Sequence, residues 1–247
     1  MKTEQNNFNI STISTKVEKL FYKKNQIISN EIYNTIDEIL KEDNIGEETL
    51  LNILINRQIT KKVQITLLDG FIFEKLIEIK TIKEKIYKLF PNGLIKLKSS
   101  LQIDYQPLQI LLIKKKFKEA DQLTHQYLCK LSNLTNKNKR EWLYFTDIAS
   151  LPSEDLKTID LLWKIYSRGK FGFSIQRKIW QINNYNWDKL WHKIGWIKDG
   201  VMRRYPQDFI WTINAPQGHL PLINQLRGTQ VLYSLFKHVV WQKKTEI

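Results

Sequence analysis

The sequence predicts an all-α protein, a helical bundle at the N-terminus followed by a second helical domain, and three observations carry that expectation. Apolar residues return every three or four positions through most of the chain. Strand-like alternation is scarce. Helix stop and start signals, such as Pro91-Asn92-Gly93 and Pro152-Ser153-Glu154-Asp155, fall between the periodic stretches. With 247 residues the chain is long enough for two domains, each with its own core.

Taken in order, Val17, Leu20, Phe21, Ile27 and Ile28 mark a first helical stretch, and Ile32, Ile36, Ile39 and Leu40 a second. Leu50 to Ile55 form a third, with Gly46 ahead of it and Glu47 and Glu48 suited to the positive end of a helix dipole. A fourth runs from about Ile72 to Ile79 and a fifth from Ile82 to Phe90, where the Pro-Asn-Gly signal ends it. Residues 94–106 show no period and read as a linker, so the domains are set at 1–98 and 105–242.

The second domain opens with a helical pair, Leu108 to Leu112 and Ala120 to Leu131, followed by a polar break. Ser153 is placed as the N-cap of a helix carrying Leu156, Ile159, Leu162, Trp163 and Tyr166. A glycine loop at 169–172 follows, with Ser174 as the cap of a helix reaching Trp180. Asn183, Asn184 and Asn186 precede another helical face at Trp187, Leu190, Trp191 and Ile194. Residues 195–220 form the longest irregular segment, the kind of loop that tends to carry function. A last helix is expected over about 222–240.

Composition narrows the function. The net charge is +14, yet residues 1–50 hold six basic against nine acidic side chains, leaving 33 against 16 in the rest. Such a field attracts anions of any class, so peripheral contact with an acidic membrane surface stays open. The run Lys114-Lys115-Lys116 with Lys118 reads as a solvated helix face. No apolar run reaches the roughly 20 residues that span a bilayer. The first residues show neither an apolar signal core nor an Arg-rich transit pattern. The single cysteine, Cys129, permits no internal disulfide and no Cys-based zinc site. His125 stands one turn from Cys129, but two ligands do not make a metal centre. No nucleotide, hydrolase, metalloprotease or calcium motif occurs. Asp155 and Asp160 are read as helix-start and surface groups, and no catalytic residue and no metal site is expected.

What the sequence does contain is aromatic surface bordered by Arg. Seven of the eight Trp fall between Trp142 and Trp211, most of them read as core. Arg168 and Lys170 precede Phe171, and Arg203-Arg204 precede Tyr205. This combination suits single-stranded nucleic acid, with bases stacked and phosphates paired, or a carboxylated macrocycle held by its face and its acids.

Longer motifs separate these readings. IDYQPLQ (103–109), FKEADQLT (117–124), REWLYFTDI (140–148), TIDLLWKIYSRGKFGFSIQRKIW (158–180), HKIGW (192–196) and APQGHLPLINQLRG (215–228) resemble the genomes-uncoupled-four family in order and spacing. LLDGFIFEKL (67–76) and LFPNGLIKLKS (89–99) resemble the helical N-terminal extension of its cyanobacterial and plastid-encoded members, so the resemblance spans about 46–242.

The resemblance implies an all-helical, cupped-hand porphyrin-binding domain that catalyses nothing itself. It implies binding of protoporphyrin IX and Mg-protoporphyrin IX, and stimulation of magnesium chelatase through that enzyme's large porphyrin-binding subunit. It places the ligand under a mobile loop, here about 197–222. The hydrophobic floor falls on Phe145 and Ile148, the aromatic position of the loop on Tyr205, and the functional Asn and Arg on Asn224 and Arg227. Trp211 and Leu226 complete the candidate set. Many members carry a basic residue three positions after that Arg, whereas this chain has Gln230; Arg203 and Arg204 are the candidates for the second carboxylate contact. A magnesium held in the ring accepts water or carbonyl oxygen as axial ligand, so His219 is read as a turn or packing residue. A plastid or a cyanobacterial cytoplasm is the implied location. A linear bilin carrier, and less favourably a single-strand-binding module, are the alternatives.

Overall fold

Helices make up nearly all the regular structure of the described residues, with one two-residue-a-side hairpin. The computed structural model describes residues 2–22, 27–132, 142–222 and 229–242. Two units separate by their internal contacts, Met1–Ile95 and Lys96–Ile247.

The first unit contains α1 (Lys2–Tyr22), α2 (Asn30–Leu40), α3 (Asp43–Leu54), α4 (Leu67–Glu78) and α5 (Lys80–Leu89), with one π-helical turn at Ile55–Thr60. Its core is the set of apolar stripes the periodicity marks, including Val17, Ile36, Leu50, Leu54, Phe71 and Ile86, all fully buried. Gly46 differs from its expected place ahead of a helix. It lies inside α3, where a Cβ would come within 1.9 Å of the Ile39 carbonyl oxygen, so only glycine permits this approach of α3 to α2. Helix α4 starts earlier than its apolar stripe suggests, because Thr66 and Asp69 form a reciprocal capping box. The same Asp69 holds Arg57 through two hydrogen bonds of 2.8 and 3.2 Å, and the Arg57 guanidinium lies 3.7 Å over the Phe21 ring.

The second unit contains α6 (Gln106–Ile113), α7 (Phe117–Leu131), α8 (Phe145–Ile148), α9 (Ser153–Tyr166), α10 (Phe173–Ile182), α11 (Trp187–Lys193) and α12 (Gln230–Lys237). The hairpin strands are β1 (Ile197–Lys198) and β2 (Val201–Met202), and a 3-10 turn covers Val239–Trp241. Trp163 of α9 is the centre of the core, stacked 6.0 Å from Phe117 and edge-on to Phe171. Its indole N–H donates to Thr124 Oγ1 over 3.0 Å, so even this fully buried ring is satisfied.

Several sequence expectations change here for identifiable reasons. Residues 96–105 are not a free linker. Asp155, expected as a helix-start carboxylate, is fully buried and accepts from Ser99 Oγ (2.5 Å), Ser100 N (3.0 Å) and Tyr105 OH (2.8 Å), binding that stretch to α9. Thr158 Oγ1 adds a bond to the Lys98 carbonyl. Asp160, expected on the surface, is also buried, and its carboxylate accepts from the Ser174 amide at 2.8 Å. The start of α10 is therefore served by Asp160 from α9, with Gly172 rather than Ser174 at the N-cap position. Asn186 does cap α11, accepting from Lys189 N. Leu222 is not helical; within the described residues the last α-helix begins at Gln230 and ends at Lys237.

Candidate functional site

The segment 195–222 is irregular in secondary structure but tightly bonded. It opens with Gly195 at φ +70°, where a Cβ would come within 2.8 Å of the Pro216 ring. The hairpin follows, its turn made by Asp199 (φ 52°) and Gly200 (φ 78°). Two successive positive-φ residues are the geometry of a type I′ turn, which Asp-Gly favours.

Beyond the hairpin, Arg203 serves the fold. Its Nε donates to the Gly195 carbonyl at 2.8 Å and its Nη1 donates to the Asp208 carbonyl. Arg204 uses its backbone N–H to reach Asp208 Oδ2 at 2.8 Å, while its exposed guanidinium has no partner among the described residues. The two arginines differ accordingly: one braces the turn and the other is available to an anion.

A chain of rings connects this segment to the helices. Trp180, Trp187, Trp191 and Trp196 succeed one another at centroid separations of 4.9, 5.3 and 5.2 Å, the last pair stacked and nearly parallel at 6°. Phe209 lies edge-on to Trp196 at 6.3 Å, Trp211 next to Phe209 at 6.1 Å, and Tyr205 edge-on to Trp211 at 5.9 Å. Trp211 Nε1 donates to the Pro206 carbonyl at 2.9 Å, which fixes the indole against the turn that carries Tyr205. Tyr205 is 40% exposed, so this chain of rings ends at the surface.

Residues 218–222 are held at nearly every backbone group. Gly218 N donates to the Lys170 carbonyl, and Gly172 N donates to the Leu220 carbonyl. Gln176, fully buried on α10, donates through Nε2 to the carbonyls of Gly218 and Pro221. Trp196 Nε1 donates to the His219 carbonyl at 2.8 Å. The His219 ring is fully buried, with Nδ1 donating to Ile194 O at 2.7 Å and Nε2 accepting from Ile210 N at 3.0 Å. Burial pushes its pKa down, so the neutral tautomer is the native form. The last described bond of the segment runs from Leu222 N to Asp121 Oδ1 on α7, at 2.6 Å.

The structure brings Tyr205 and Trp211 together, with Arg203 and Arg204 beside Asp208. Phe145 and Ile148 form α8, which packs on α12. Phe145 is 48% exposed while Ile148 is closed off in the core. Among the described residues, no ring contact or hydrogen bond joins these two to Tyr205 or Trp211. Asn224, Leu226 and Arg227 lie outside the described residues. Gln230 is exposed at the first turn of α12. Among the described residues no group of three His, Cys, Asp or Glu side chains could hold a metal ion. His125 Nε2 approaches Cys129 Sγ at 3.7 Å.

Two buried polar residues, Asp121 and Gln176, escaped the reading of the sequence and a third, Asp155, is read there only as a helix-start group, although the pattern contains a signal for each. Asp121 falls on the stripe Phe117, Ala120, Thr124 and Leu128, Gln176 between Phe173 and Trp180, and Asp155 on the stripe with Ile159, Leu162 and Tyr166. A polar side chain in a core register needs an internal partner, and each of these has found one.

Comparison with known proteins gives a consistent picture. The family model described as GUN4-like matches residues 98–239. The ycf53 protein of Porphyra purpurea is 49% identical over 191 residues, covering 76% of this chain and 80% of that one. A chloroplastic protein of Arabidopsis thaliana named tetrapyrrole-binding protein is 35% identical over 143 residues, covering 54% of each chain. Among solved structures, GUN4 from Chlamydomonas reinhardtii superposes with a TM-score of 0.55 at 38% identity, covering 60% of this chain and 95% of that one.

Proposed function

The chain belongs to the GUN4-like family, and on that premise we propose that it is a non-catalytic porphyrin-binding protein of a plastid or a cyanobacterial cell. Its ligands on this reading are protoporphyrin IX and Mg-protoporphyrin IX, and its partner is the large porphyrin-binding subunit of magnesium chelatase, which it stimulates. The observation that carries the proposal is the family match over 98–239, which contains all the candidate binding residues.

The geometry suits the ligand class. A flat ring needs apolar and aromatic surface that the fold does not already consume, and Phe145 and Tyr205 are 48% and 40% exposed. Burying a few hundred Å² of ring at about 25 cal/mol/Å² gives several kcal/mol before association costs. That scale matches reversible binding by a carrier. Arg204 supplies a free cation beside Tyr205 for a propionate, in preference to Arg203, whose guanidinium is committed to backbone carbonyls. Asn224, Leu226 and Arg227 would add the remaining contacts on the strength of the resemblance. A magnesium in the ring is a hard ion that takes water or carbonyl oxygen, and the buried imidazoles of His219 and His238 have both ring nitrogens engaged in the fold.

The test is a titration of the full chain with protoporphyrin IX, Mg-protoporphyrin IX and a linear bilin, read by Trp quenching and by the Soret band. Saturable quenching with a shifted Soret band for the two porphyrins supports the proposal. Unchanged spectra up to tens of micromolar porphyrin, or preference for the bilin, refutes it. Acceleration of magnesium insertion by a purified chelatase tests the partner separately.

A further inference from the structure

Three successive carbonyls follow the end of α11, and each accepts from the segment beyond it. Ile194 O accepts from His219 Nδ1, Gly195 O from Arg203 Nε at 2.8 Å, and Trp196 O from Arg203 N at 2.8 Å. Arg203 thus uses both its side chain and its backbone on this corner. Its Nη1 donates in addition to the Asp208 carbonyl, so one planar group fastens Gly195 to Asp208. A guanidinium is the side chain that offers several donors in one rigid plane.

Between the two attachment points lies a small closed turn. Asp208 N donates to the Arg204 carbonyl at 3.0 Å, Arg204 N donates to Asp208 Oδ2 at 2.8 Å, and Trp211 Nε1 donates to the Pro206 carbonyl at 2.9 Å. Tyr205 belongs to that turn, edge-on to Trp211 at 5.9 Å and 40% exposed. These bonds set the shape of the turn. The guanidinium sets where that shape sits, because it ties the far end of the turn to the corner after α11. Both of its acceptors are within reach of water, Gly195 being half-buried and Asp208 exposed. Removing the guanidinium therefore loosens the turn without leaving a buried carbonyl unpaired, and the fold can survive the loss.

We propose that Arg203 is a positioning residue of the ligand site: it holds the 204–208 turn so that the Tyr205 ring is presented to the porphyrin, and it contributes to affinity through Tyr205 rather than through a ligand carboxylate. This rests on the porphyrin reading above. An exposed ring on a loose turn loses conformational freedom when it packs on a ligand, and that loss weakens binding. On a turn fixed beforehand the loss is small. With Nε and Nη1 turned to backbone carbonyls, the guanidinium no longer offers its full fork to a carboxylate.

The experiment is a double-mutant cycle on the full chain, with protoporphyrin IX affinity read by Trp quenching and melting temperature measured on the same samples. Tyr205→Ala removes the ring and is expected to weaken binding about tenfold, the equivalent of one aromatic contact. Arg203→Met keeps an apolar stem without the donors and is expected to weaken binding about fivefold. Acting through Tyr205, the two losses do not add: the double variant binds about tenfold more weakly than wild type, no worse than Tyr205→Ala alone. Independent losses multiply to about fiftyfold and overturn the proposal, as does an Arg203→Met that binds like wild type. Asp208→Ala opens the same turn from its other side and decides the matter if Arg203→Met fails to fold. Positioning predicts weaker binding by Asp208→Ala, with no further loss in the Tyr205→Ala background. Unchanged or tighter binding, the result of merely removing an acid near an anionic ligand, overturns the proposal. Absence of wild-type binding overturns the porphyrin reading and the positioning role together, whereas wild-type binding with multiplying losses overturns the positioning role alone.

Discussion

The imidazole Nδ1 of His219 donates to the carbonyl of Ile194 over 2.7 Å, and this bond joins the end of α11 to the segment that carries the candidate binding residues. The opposite ring nitrogen accepts from Ile210 N, so one neutral ring satisfies two backbone groups that water cannot reach. His219→Ala leaves both unpaired and is expected to cost about 2–4 kcal/mol. Denaturant unfolding followed by Trp fluorescence measures it, and a loss below about 1 kcal/mol would contradict the role.

The same ring sets a pH dependence. His219 and His238 both have their pKa lowered by burial from the ordinary value of 6.5. Below that value the unfolded chain takes up protons that the folded chain refuses, so stability falls as pH drops through this range. Asp121 acts in the opposite direction. Its folded form holds a proton that the unfolded chain loses near 3.8, so it contributes stability that is lost as pH rises from 3.8 to about 8. Asp121→Asn is therefore expected to gain on wild type steadily across that window, with a constant difference above it. Ligand-free melting curves at four or more pH values read this out, and a difference independent of pH would refute an acid form of Asp121.

At Gly172 the backbone has φ +133°, and a Cβ would come within 2.8 Å of Asp160 Oδ1, the group that bonds the first turn of α10. Gly172→Ala therefore combines a strained backbone with a displaced carboxylate, at about 2 kcal/mol. Because Gly172 N also donates to the Leu220 carbonyl, the damage extends to the 218–222 anchor. The substitution should lower both melting temperature and porphyrin affinity. An unchanged affinity would show that this anchor does not shape the site.

Helix positions were legible because they rest on periodicity, and periodicity survives packing. Its stripes place Ile36, Leu54, Ile86, Leu128 and Trp163 in cores, where they are found. The segment 96–105 misled because it has no period at all; its order comes from Asp155, Thr158 and Tyr127 far along the chain. No local pattern announces such partners. The hairpin at 197–202 had a local signal, Asp199-Gly200, but its strands are too short for alternation to show. Candidate binding residues were legible only as family motifs. Tyr205 and Trp211 prove to be neighbours, whereas Phe145 and Ile148 sit on a different element, and composition could have told neither fact.

Stability and binding should separate cleanly at Trp163 and Phe145. Trp163 is fully buried, stacks on Phe117 and bonds Thr124, so Trp163→Ala empties the centre of the second unit. About 3–5 kcal/mol is the expected loss. That is a large fraction of what a domain of this size possesses, and it is enough to abolish binding by unfolding. Phe145 is 48% exposed and makes no ring contact among the described residues, so the fold gains little from its side chain. Phe145→Ala should change stability by less than about 1 kcal/mol while weakening porphyrin binding roughly tenfold, the equivalent of one large apolar contact. Melting temperature and quenching titrations on the same samples make the comparison. If Phe145→Ala bound porphyrin like wild type, its exposed ring would have to serve a surface other than the ligand site.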